Sequence, residues 1–189
     1  LNQYNLCFMK GPILKNKRIT LRPIKLSDAE SFCPWMNDKE VVKYLLFQSG
    51  IKLKEELKWI RKQRQNKNGI TWSMENEEGN LIGNTCLELD EKNKVANLGI
   101  VIGEKKQWGK GYAGEVLELL KNYVFKKLKY NRFELDYRMD NKRAERVYLK
   151  SGFRKEGVKK KNHFNLVTKK YEDTGFMSML KEEYLKTNK

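Results

Sequence analysis

The segment Trp108-Gly109-Lys110-Gly111-Tyr112-Ala113 constrains this chain more than any other. It lies between an apolar run, Leu98 to Gly103, and an amphipathic segment that begins at Tyr112. Small residues at alternating positions let the backbone turn and expose consecutive N–H groups where a helix opens. The positive end of the helix dipole points at the same spot, so the turn suits anionic oxygens, a diphosphate above all. It is not a Walker loop, because Gly111 stands where that motif needs Ser or Thr for magnesium. No early strand–helix unit precedes it, as a dinucleotide-binding turn requires.

Hydrophobic periodicity places elements on both sides of this turn. Ile19 and Leu21 alternate with Thr20 and Arg22, a strand. Ser27 to Glu30 offers a capping box for a helix running to about Asn37, and Leu53, Leu57 and Ile60 share the face of a second helix. Ile70 to Glu75 and Leu81 to Leu89 flank a Glu78-Gly79-Asn80 turn, and Val95 to Ile102 extends the meander. After the glycine turn, Val116, Leu117, Leu120 and Val124 form one apolar stripe. Phe133, Leu135 and Tyr137 alternate with polar neighbours, Asp140 or Asn141 caps a short helix, and Gly152 ends it. Two closing strands are predicted around Glu156 to Asn162 and Thr174 to Leu180. Antiparallel hairpins followed by a strand–helix–strand unit predict an α/β (α+β) fold, a mixed sheet of about seven strands with helices on both faces.

The chain of 189 residues is long enough for one domain with a real core, assigned here to residues 11–183. Residues 1–10 read as an N-terminal extension, with Met9 a candidate native start, and 184–189 as a tail. No apolar run approaches the roughly 18 residues of a membrane span, and Leu1 to Lys10 lacks a secretory signal pattern. Three scattered cysteines, Cys7, Cys33 and Cys86, suit a reduced cytoplasmic setting. The lone His163 cannot build a histidine-rich metal site, so no metal is expected. The net charge of +16 is dispersed along the chain. It fits either solvated surface helices or attraction to polyanions such as RNA, the ribosome or an anionic cofactor.

A second constellation, Asn141, Ala144, Tyr148, Gly152 and Phe153, follows the glycine turn. Together the two motifs resemble the GCN5-related N-acetyltransferase (GNAT) superfamily. Trp35 to Val41 and Tyr171 to Asp173 are similar to its branch of ribosomal-protein-alanine and spermidine N-acetyltransferases. The resemblance implies acetyl-CoA as cosubstrate, lying where the fourth and fifth strands splay apart. Its diphosphate would sit on Trp108, Gly109, Lys110, Gly111, Tyr112 and Ala113, and its pantetheine arm on Ile100, Val101, Ile102 and Asn141. Trp108 replaces the Arg or Gln that other members carry first in the motif.

The resemblance also implies direct attack of an amine on the thioester, with Tyr148 as general acid for the departing thiolate. A phenol of pKa about 10 stays protonated beside a thiol of about 8.5. A base must take the amine's proton. The usual glutamate position holds Ala96-Asn97 here, which leaves Glu88, Asp136 or water. Asn141 faces two roles, helix cap and pantetheine ligand, and His163 matches a histidine near the acceptor in this branch. The acceptor expected first is a protein N-terminus, of ribosomal type; a polyamine, aminoglycoside or other small amine stands second, because a surface at +16 repels polycations unless carboxylates gather locally. A non-catalytic RNA- or ribosome-associated module is the rival of another class. Oligomeric state, a homodimer included, is not readable, and the acceptor loops fall at Leu46 to Leu53 and Lys159 to Lys170.

Overall fold

A computed structural model describes residues 11–45, 50–165 and 169–187. The expected N-terminal extension and parts of both acceptor loops lie outside these residues. Eight strands form one sheet: β1 (Leu14–Lys15), β2 (Ile19–Pro23), β3 (Gly69–Asn76), β4 (Leu81–Asp90), β5 (Val95–Ile102), β6 (Arg132–Arg138), β7 (Arg154–Asn165) and β8 (Lys170–Leu180). Their order is β1-β2-β3-β4-β5-β6-β8-β7. The two-residue β1 is the strand beyond the seven expected. Every neighbouring pair is antiparallel except β5 and β6, which run parallel and pair at three positions, from Val95↔Arg132 to Asn97↔Glu134. Past Asn97 the two strands separate, at the place the resemblance implied.

Helices cover both faces. α1 (Ala29–Asn37), the short α2 (Lys39–Val42) and α3 (Leu53–Gln65) occupy one side, where Phe32, Ala29 and Ile60 are fully buried. α4 (Tyr112–Asn122) and α5 (Lys142–Lys150) occupy the other, where Leu117 and Tyr148 join Trp72, Phe133 and Phe153 in one core. A side chain such as Leu117 contributes about 1.5–3 kcal/mol by leaving water, so these two stripes hold α4 and α5 against the splayed strands. The last helix, α6 (Lys181–Thr187), crosses the boundary drawn at residue 183. Tyr184 is buried on it, stacked 5.0 Å from Phe125 and donating to Asn122 Oδ1 at 2.7 Å.

The capping box expected at Ser27 and Glu30 is not formed. Asp28 instead receives two hydrogen bonds from Arg22, both 2.8 Å, one from Ser73 at 2.5 Å and one from the Lys25 N–H at 2.8 Å. The buried carboxylate is neutralised by Arg22 and, through the Lys25 N–H, also caps the single 3-10 turn Leu26–Asp28 that leads into α1. Arg22 and its neighbours hold the Asp28 carboxyl below its ordinary range, against burial, which pushes the other way.

Candidate active site

Gly109 and Gly111 adopt φ of 79° and 87°, a left-handed conformation that side-chain-bearing residues rarely enter. A Cβ at either would meet nothing within 4 Å, so backbone shape, not crowding, demands glycine there. The N–H groups of Gly109, Lys110, Gly111, Tyr112 and Ala113 find no acceptor among the described residues; the helical bonds begin with Gly114 and Glu115 donating to the Gly111 carbonyl. Five successive unpaired donors at the start of α4 make an anion cradle. A diphosphate fits it.

The cradle opens on a cavity of about 560 Å³ that runs through the splay. Gly109, Gly111 and Ala113 line its mouth; Ile100, Ile102, Asn141 and Tyr148 line its middle; Cys86, Glu88, Asn97 and Asp136 lie at its far end. In the β4–β5 ladder the Gly103 N–H donates to the Ile82 carbonyl, and hydrogen-bonded pairs then alternate down the register. Val101 therefore spends its backbone groups on Asn84, whereas Ile100 turns its N–H and C=O into the gap. Val101 itself lines the cavity. The carbonyl of Ile102 is also taken, by the Trp108 indole N–H at 2.8 Å.

Three other expected ligands have side chains engaged within the protein. The Trp108 backbone N–H bonds the Lys105 carbonyl, so Trp108 has no N–H left and presents only its ring. Lys110 does not line the cavity; its Nζ donates to Gln107 Oε1 at 2.9 Å. Its carbonyl accepts from Arg18 at 3.1 Å. The Tyr112 side chain is buried, its hydroxyl donating to Glu77 at 2.7 Å, so Tyr112 serves through its backbone. Trp35 packs on Gly103, whose added Cβ would meet the indole at 2.1 Å.

Asn141 is a helix cap and also borders the cavity. Its Oδ1 caps α5 by accepting from the Ala144 N–H at 3.1 Å, while its NH₂ has no partner among the described residues and the residue lines the cavity. Six residues on, Val147 begins the turn that Gly152 closes: the Phe153 N–H reaches the Tyr148 carbonyl, and Gly152 takes φ 91°. This arrangement fixes Tyr148, whose ring lies edge-on to Tyr137 at 6.2 Å and to Phe153 at 6.4 Å. The Tyr148 hydroxyl makes no hydrogen bond among the described residues, and burial pushes its pKa up to about 12. At neutral pH it holds its proton.

Of the carboxylates weighed as base, Asp136 is engaged by Lys159, at 2.8 and 3.2 Å. Glu88 is exposed, lines the cavity and faces Asn97 across the ladder. His163 is not among the lining residues; it pairs with Glu172 across β7 and β8, and burial with the Arg138 charge lowers its pKa. Arg138 lines the cavity, is 3% exposed and is ion-paired to Glu172. The alternation of β6 put it on the polar face, but its partner comes from a strand 34 positions away in the chain. That pairing had no local signal.

The fold and cavity together define an acyl-transferring enzyme of the splayed-sheet type. The acetyltransferase (GNAT) domain family matches residues 18–154, and the chain belongs to that family. It is similar to the uncharacterized N-acetyltransferase YoaA of Bacillus subtilis, 32% identical over 78% of this chain and 85% of the relative. It is 25% identical to the spermidine N(1)-acetyltransferase of Vibrio cholerae over 90% of this chain and 97% of that one. The crystal structure of the Vibrio cholerae spermidine N-acetyltransferase with CoA and spermine superposes with a TM-score of 0.82, covering 90% of this chain and 99% of that chain at 24% identity. The protein is an acetyl-CoA-dependent N-acetyltransferase.

Proposed function

We propose that the acceptor is a small primary amine bearing a second positive charge. One observation carries this: Glu88 and Asn97, at the far end of the cavity, also line an adjoining depression of about 690 Å³ whose other walls include Asn66, Asn68, Asp90 and the ion pair of Glu134 with Arg132, so that Glu88 and Asp90 are the carboxylates there without a cationic partner among the described residues. On a chain of net charge +16, carboxylates gather where an acceptor would enter. Local acidity removes the objection that the mean charge raised against polycations. A second ammonium about 5 Å from one carboxylate gains roughly 3 kcal/mol at an effective dielectric of 20. The similarity to spermidine acetyltransferases agrees with this reading.

When bound, acetyl-CoA supplies a thioester carbonyl as electrophile and a thiolate as leaving group. The residues around it divide the remaining work. The N–H groups of Gly109 to Ala113 hold the diphosphate, and Ile100 and the Asn141 NH₂ orient the pantetheine arm. Glu88 binds the incoming ammonium and takes its proton, since a protonated amine cannot attack. Tyr148 delivers a proton from its hydroxyl to the thiolate, which the raised pKa keeps available.

Initial-rate kinetics with an amine panel test the assignment. Diamines and triamines should exceed monoamines of equal length in kcat/KM by about tenfold or more, and Asp90→Asn, which leaves Glu88 in place, should shrink the difference, whereas Glu88→Gln should lower turnover for all amines. Equal rates for monoamines, or a preference for peptides with a free N-terminus, would overturn the acceptor assignment while leaving the acetyltransferase intact.

A further inference from the structure

A diphosphate is best held where a cation joins the backbone donors, and three cations around the cradle are engaged elsewhere. Lys110 is held by Gln107, Arg18 by Glu115 and Glu77, and Lys105 by Asp38 and Glu40. Arg143 is different. It lines the cavity, is exposed, and makes no hydrogen bond or ion pair among the described residues. Its guanidinium lies over the Trp108 ring, 4.2 Å from the centroid. Trp108 is itself fixed, its Nε1 bound to the Ile102 carbonyl at 2.8 Å.

Stacking uses the face of the guanidinium and leaves its N–H edge free for a planar fork of donors. The position also runs against helix electrostatics. Lys142 and Arg143 open α5, where the dipole is positive and acidic residues are favoured. Lys142 is compensated by Glu145 at 3.0 Å, whereas Arg143 has no acid. An unpaired cation at a helix N-terminus, pinned on a rigid ring beside five unpaired N–H groups, is arranged for an anion that comes from outside the chain.

We propose that Arg143 binds the diphosphate of the coenzyme by an edge-on fork of hydrogen bonds, with Trp108 as its platform. The inference rests on the assignment of the glycine loop as the diphosphate site. Cradle and guanidinium then divide the load: backbone dipoles fix the position of the phosphates, and Arg143 supplies the full charge that the loop lacks.

Calorimetric titration with CoA, which involves no turnover, tests this on wild type, Arg143→Ala and Arg143→Lys, each repeated with 3′-dephospho-CoA. Arg143→Ala should raise Kd about 10- to 100-fold, by the same factor for both ligands, while the melting temperature without ligand stays put. Arg143→Lys should recover part of the loss, because a point charge returns without the fork. Wild-type affinity in Arg143→Ala overturns the proposal. So does a loss that vanishes with 3′-dephospho-CoA, which would move the contact to the 3′-phosphate. A wild type that binds neither ligand would instead bring down the loop assignment itself.

Discussion

Arg18, at the edge of β2, donates from Nη2 to the carbonyl of Lys110 at 3.1 Å, 92 positions further along the chain. The same guanidinium bonds Glu115 on α4 and covers the Tyr112 ring at 4.7 Å. A trans peptide sets its C=O and N–H in opposite directions. Holding the Lys110 carbonyl toward β2 therefore turns the Gly111 N–H the other way, so a strand distant in sequence sets the donor that follows the carbonyl it grips.

Replacing Arg18 should loosen the loop without touching the cavity lining. Arg18→Ala is expected to weaken CoA binding about tenfold by calorimetry, and Arg18→Lys to restore little, since one ammonium cannot reach both Lys110 and Glu115. Unchanged affinity in Arg18→Ala would mean that the two left-handed glycines shape the cradle unaided.

Tyr148→Phe removes one hydroxyl and keeps the ring between Tyr137 and Phe153. The expected result is a fall in kcat of about 10²–10⁴-fold with Kd for CoA unchanged. Because burial raises the phenol to about 12, its protonated form persists through the whole working range. An alkaline limb in the wild-type rate below about pH 10 should therefore survive in no altered position if Tyr148 is changed. Full turnover in the variant would remove Tyr148 from the acid role.

The elements that declared themselves in the sequence are those whose cause is local. Gly111 must turn left-handed to start α4, Asn141 caps from within its own helix, and Gly152 ends that helix three positions past Leu149, so short-range chemistry predicts each. Ser27 and Glu30 misled for the complementary reason: Asp28 lies between them, and its partners Arg22 and Ser73 arrive through the sheet. Which residues of β5 turn their backbone groups to the gap is decided only by the β4 register, which no local pattern states. Arg18, Arg138 and Arg143 went unseen as a group. An arginine's partner depends on where its long side chain lands, and nothing in a run of neighbouring residues states that.

Asn141 allows its two roles to be separated. Asn141→Ser keeps an oxygen for the Ala144 N–H and should leave stability within a few tenths of a kcal/mol, yet it deletes the NH₂ that faces the cavity. Asn141→Ala deletes both and should cost about 0.5–2 kcal/mol in urea unfolding. If the NH₂ contacts the pantetheine arm, both variants lose CoA affinity several-fold and differ only in stability. A Ser variant that binds like wild type would leave Asn141 a cap and nothing more.

Acid should release α5 before the rest of the fold. Glu145, three positions ahead of Tyr148, accepts from Lys155, from Lys142 at 3.0 Å and from the Tyr137 hydroxyl at 3.2 Å. The hydrogen bond from Lys155 comes first among the causes that hold its carboxyl down at about 2, from an ordinary 4.5. A carboxyl depressed in the folded state binds fewer protons there than in the unfolded chain, so it stabilises above pH 4.5 and loses that effect as pH falls toward 2. The melting temperature of wild type should drop through this window, and Glu145→Gln should flatten part of the slope while starting from a lower value at pH 7. Because Tyr148 rides the same helix, CoA-induced stabilisation should shrink over the same pH interval. A variant whose slope between pH 4.5 and 2 matches the wild type would show that other carboxylates, Asp28 and Glu156 foremost, govern the acid response.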